Sequence, residues 1–110
     1  MRPTAGHTVP LTDGRGRDIG RVIVERVDDD LIEGAFEPGA DFGAVRQLFL
    51  DFEEAVNLQA LGAADRLGGE IDALRFRLGV EGQSESIDVF DVQIWSEGGI
   101  SCRLRSRTRA

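Results

Sequence analysis

Leu74, Phe76, Leu78 and Val80 alternate with Arg75, Arg77 and Gly79, a period of two that predicts a strand with one apolar and one charged face. The pattern changes upstream. Phe42, Val45, Phe49, Phe52 and Val56 recur at steps of three, four, three and four, which is one face of a helix, and Asp41 stands where an N-cap belongs. Arg46, Asp51, Glu53, Glu54 and Asn57 make up the opposite, solvated face. A second helix over residues 58–67 follows, weakened by Gly62 and ended by Gly68-Gly69.

On the N-terminal side, residues 9–12 and 19–27 are rich in β-branched side chains and flank the turn formers Gly14-Arg15-Gly16-Arg17-Asp18. Asp28-Asp29-Asp30 reads as a charged three-residue connection into a further strand over residues 31–36, which Glu37-Pro38-Gly39 terminates. Residues 87–95 are apolar on both parities. Ile87 and Val89 give way to Phe90, Val92 and Ile94, the mark of a central strand or of one whose phase shifts at a bulge. After the Glu97-Gly98-Gly99 turn, Ile100, Cys102 and Leu104 form the closing strand. The order β-β-β-α-α-β-β-β predicts an α+β fold, a largely antiparallel sheet of five to six strands with two helices packed on one face. Residues 9–106 form one domain in this reading, with disordered tails over residues 1–8 and 107–110.

Composition changes the picture mainly by exclusion. All thirteen basic side chains are arginine, so lysine Schiff bases and the lysine of a phosphate-binding P-loop are out of reach. Twenty acids set the formal charge at −7, which disfavours nucleic acid and anionic membranes as partners and favours a basic one. The charge is also segregated. Residues 25–72 hold thirteen acids and three arginines, whereas residues 98–110 hold four arginines and no acid. One cysteine, Cys102, permits no internal disulfide and no zinc site of several thiolates, and a reducing cytoplasmic setting follows as the expectation. No apolar run has the length of a membrane span.

Few residues are candidates for chemistry. His7 is the only histidine, placed in the expected tail, and no nucleophile–base pair is evident. Gly14, Gly16 and Gly20 have the wrong spacing for a dinucleotide-binding turn and lead into a strand. Asp28-Asp29-Asp30 lacks the spaced oxygens of a calcium loop. Asp51, Glu54 and Asp65 are the carboxylates that a pocket between sheet and helices would use. Arg103, Arg105, Arg107 and Arg109 recur at every second position, and Arg75 and Arg77 join them if their strand lies nearby. Such a stripe suits an anion or an acidic partner, and the competing expectation is cross-strand pairing with Asp88 and Asp91. Trp95 before the final turn is expected to cover the end of the core.

The function these features favour is a non-catalytic protein-interaction module, small, acidic and cytoplasmic. It needs no metal or cofactor, and its partner is a protein, a second copy of the chain included. The alternative is a small-ligand-binding protein or enzyme working through the helix carboxylates.

Overall fold

The computed structural model describes residues 3–79 and 86–105. Six strands appear in the expected order around two helices: β1 (Thr8–Thr12), β2 (Asp18–Asp28), β3 (Leu31–Pro38), α1 (Arg46–Asn57), α2 (Leu61–Asp72), β4 (Arg77–Gly79), β5 (Ser86–Ile94) and β6 (Gly99–Leu104). Every pairing is antiparallel. The strands follow one another as β1-β2-β3-β6-β5-β4, and β4 returns to β1, so the sheet closes into a barrel. Closure removes the sheet edge that an open arrangement would offer a partner strand. Among the described residues the closing seam is short, with Leu11 opposite Leu78 and Thr12 opposite Arg77. By contrast, the β2–β3 ladder runs from Gly20 opposite Pro38 to Asp28 opposite Leu31.

Alternation along the strands fills the interior. Val9, Leu11, Val22, Val24, Ile32, Leu78, Ile100 and Cys102 are all buried in one continuous core. Gly34 is required where β3 crosses β2, because a Cβ there would collide with the Ile23 carbonyl. In β5 the shift of phase is a bulge between Phe90 and Gln93, with Asp91 in the left-handed region at φ 54°. Val89 points inward before it, Val92 and Ile94 after it, and Phe90 lies on the outer wall.

The helices cover one end of the barrel. A chain of rings runs across it from Phe36 on β3 to Phe42 at 5.0 Å, on to Phe49 of α1 at 6.3 Å, and then to Phe76 before β4 at 5.9 Å. Fully burying Phe49 at 2% exposure contributes about 1.5–3 kcal/mol relative to leaving it in water. Tertiary burial, not capping, holds α1 in place, since its N-terminus has no side-chain cap.

Several boundaries differ from the sequence reading. Asp41 does not cap α1: a 3₁₀ turn over Phe42–Ala44 intervenes, and Asp41 instead accepts the Asp18 N–H at 3.0 Å. The connection after β2 has two residues, because Asp28 still pairs with Leu31. Gly68-Gly69 does not end α2. The helix continues to Asp72 because Ile71, 1% exposed, gains a core position, and Gly68 lets α2 approach α1 closely, a Cβ there standing 3.4 Å from the Phe52 ring. Leu74 belongs to the turn after α2, and β4 starts only at Arg77. Within the segment expected as an N-terminal tail, Thr8 already belongs to β1. The Gly6 N–H donates to the Val24 carbonyl, and the Val24 N–H donates to that of His7, each at 2.8 Å. The expected C-terminal tail, residues 107–110, lies outside the described residues.

Candidate functional site

Consecutive strands β4, β5 and β6 place the candidate arginines on the barrel's outer wall, interleaved with aspartates. Arg77 Nε lies 3.0 Å from Asp88 Oδ1 across the β4–β5 ladder. Arg103 Nη1 donates to Asp30 Oδ1 at 2.9 Å, and its Nε stands 4.0 Å from Asp91. The Arg105 guanidinium covers the outward ring of Phe90 at 4.9 Å from its centroid. These three arginines thus face three aspartates and one ring within the fold. Each exposed ion pair adds little stability, about 0–1 kcal/mol, but together they leave the wall near neutral. Arg75 stands apart, exposed on the turn after α2 with its backbone at φ 59°. Arg107 and Arg109 lie outside the described residues.

The helix acids Asp51, Glu54 and Asp65 are all exposed and do not converge. Asp51 accepts the Gln47 Nε2–H bond at 2.9 Å one turn away along α1. Only Asp65 lines the open groove between the helices and β5, with Phe52, Leu61, Gly68, Asp72 and Asp91. Asp72 there accepts the Asp91 N–H at 3.0 Å, which pins the β5 bulge to the end of α2. Among the described residues, no three His, Cys, Asp or Glu side chains are grouped to hold a metal ion.

Two acidic residues not singled out in the sequence have built environments. Asp13 is 3% exposed and accepts the Arg15 N–H at 3.0 Å, the Arg17 N–H at 2.9 Å and Arg17 Nε–H at 2.7 Å. Burial pushes its carboxyl up, but the hydrogen bonds from the Arg17 main chain and side chain, that from Arg15 and the Arg17 charge outweigh burial, so the net shift is downward. An aspartate directly before Gly-Arg-Gly-Arg is the local signal, since such a carboxylate bonds amides two and four residues on. Glu53 accepts both the N–H and the hydroxyl of Ser96, at 2.9 and 3.0 Å, tying α1 to the β5–β6 turn.

At the corner where α1 meets α2, the sequence drew attention to the amides Asn57 and Gln59 and not to the apolar side chains around them. Leu58 is 72% exposed and Leu61 75%, with Val56 beside them at 48%. Leu58 breaks the three–four spacing of the buried face of α1, which is the pattern of an apolar residue left in water. Both leucines flank a tight backbone reversal, with the Gln59 N–H donating to the Val56 carbonyl and the Ala60 N–H to that of Ala55. Leu61 also forms one rim of the acidic groove.

No family model, curated protein or solved structure matches this chain.

Proposed function

We propose that the protein is a non-catalytic interaction module that docks a basic, apolar-bearing segment of another protein at the α1–α2 corner. The observation that carries this reading is the largely exposed pair Leu58 and Leu61, of which Leu61 lines a groove shared with Asp65, Asp72 and Asp91. Large apolar side chains so exposed on one turn are costly to leave in water, and exposed apolar patches serve as interaction surfaces. Charge selects the occupant. Residues 46–72 carry six acids and two arginines, and one of those, Arg66, faces Glu70 at 3.5 Å. A second copy of this acidic chain is electrostatically the poorer fit, and a lysine- or arginine-bearing segment the better one.

A photo-crosslinking residue at position 58 in the native host, with position 27 as control on β2, tests the reading. The expected result is one partner crosslinked through a basic segment. Purified, that partner binds the wild-type chain with an affinity that falls as salt is added, and does not bind Leu58→Ser/Leu61→Ser. An acidic crosslinked segment, a second copy of the chain, or labelling no greater than at position 27 would overturn it.

A further inference from the structure

Six of the ten described arginines are matched to carboxylates: Arg17 to Asp13, Arg21 to Glu37, Arg26 to Asp28 and Glu33, Arg66 to Glu70, Arg77 to Asp88 and Arg103 to Asp30. Arg15, Arg46, Arg75 and Arg105 form no ion pair among the described residues, and Arg105 lies over the Phe90 ring. In a chain with twenty acids for thirteen arginines, chance pairing alone would give most surface arginines a partner. Of these four, Arg15 and Arg75 come from loops that touch.

The Gly14 N–H donates to the Leu74 carbonyl at 2.8 Å, locking the β1–β2 loop to the turn after α2. The approach is so close that a Cβ on Gly14 would stand 2.9 Å from the Arg75 Cβ. Both arginine backbones are fixed. The Arg15 N–H is held by Asp13, and Arg75 is set at φ 59° with its N–H on the Asp72 carbonyl at 3.1 Å. Neither nearby carboxylate forms an ion pair with either arginine. Asp13 accepts three hydrogen bonds through its two oxygens, and Asp72 accepts the Asp91 N–H. Two exposed arginines without an ion pair among the described residues are therefore anchored at one hydrogen-bonded junction.

We propose that Arg15 and Arg75 form a two-pronged site for a small phosphomonoester-type oxyanion. Guanidinium forks match the oxygens of a phosphoryl group bidentately, and a doubly charged tetrahedral anion satisfies two forks where a single carboxylate satisfies one. The ligand is small because the net charge of −7 repels a long polyanion beyond the junction itself. This site is independent of the α1–α2 corner, and neither proposal requires the other.

Titration with inorganic phosphate, followed by amide chemical shifts against chloride at matched ionic strength, tests the site. Saturable shifts are expected at residues 14–17 and 74–75. Arg15→Ala or Arg75→Ala should each weaken binding by roughly tenfold or more, the loss of one charge-assisted contact, and Arg75→Lys should retain part of it. Arg46→Ala serves as the control, since Arg46 is exposed on α1 and likewise has no ion pair among the described residues. Thermal melts of all variants establish that the fold is intact. Shifts no larger than chloride produces, equal weakening by Arg46→Ala, or binding of a single-stranded oligonucleotide without binding of phosphate would each overturn the proposal.

Discussion

Asp13 stabilises the fold only while it is ionised. Its native value lies below the ordinary 3.8, so its contribution is complete above about pH 3.8 and disappears as the pH falls from there through the lowered native value. Asp13→Ala should cost about 2–3 kcal/mol in denaturant unfolding near neutral pH, since it strands the donors of Arg15 and Arg17. Asp13→Asn should flatten the acid limb of the stability curve, and a limb identical to that of the wild type would contradict the assignment. Cys102 gives a second residue-scale expectation. Burial alone pushes its thiol up to about 12. At neutral pH an aromatic disulfide reagent should label Cys102 only as fast as the barrel unfolds, so mild denaturant should accelerate labelling in step with loss of the fold. Of these two residues, the sequence disclosed Cys102, whose inward parity is local. Asp13 is silent without the loop geometry that folds two amides and a guanidinium back onto it.

At the scale of elements, the ends of the helices carry the testable cost. α1 stops in a Schellman turn whose left-handed position is taken by Gln59 at φ 56°, where glycine is the unstrained residue. Gln59→Gly should stabilise the protein by about 0.5–1 kcal/mol, read as a rise in melting temperature. Gly69 lies inside α2 with open space around its missing Cβ, so Gly69→Ala should add about 0.5–1 kcal/mol, and Gly68→Ala, whose Cβ would rest against the Phe52 ring at 3.4 Å, should add a similar amount. The three–four spacing of Phe42 to Phe52 and the alternation of Ile100, Cys102 and Leu104 made α1 and β6 legible, because each reports a face through local periodicity alone. The run through Gly68-Gly69 was not legible. Glycine's intrinsic preference says stop there, and the burial of Ile71 decides otherwise.

For the whole molecule, the order of elements could be read from the sequence but closure could not. Leu11 and Leu78 lie far apart in the chain, and nothing in either strand's own pattern announces that they meet. The same distance problem hid one partner on the outer wall, where pairing with Asp88 and Asp91 was the expectation and Asp30 was not foreseen. Arg103 shows its periodicity in sequence, but its bond to Asp30 comes from a turn near the other end of the chain. Closure, in turn, moves the question of partners from strands to the helix corner and the Gly14–Leu74 junction. Its weakest stave is β4, joined to β1 through Leu11–Leu78 and Thr12–Arg77 alone among the described residues. In deuterium exchange, amides along that joint should swap well before those deep in the β2–β3 ladder, through openings too small to melt the rest. A covalent clasp across Leu11 and Leu78 would then slow the first step of unravelling more than the same clasp placed anywhere between β2 and β3.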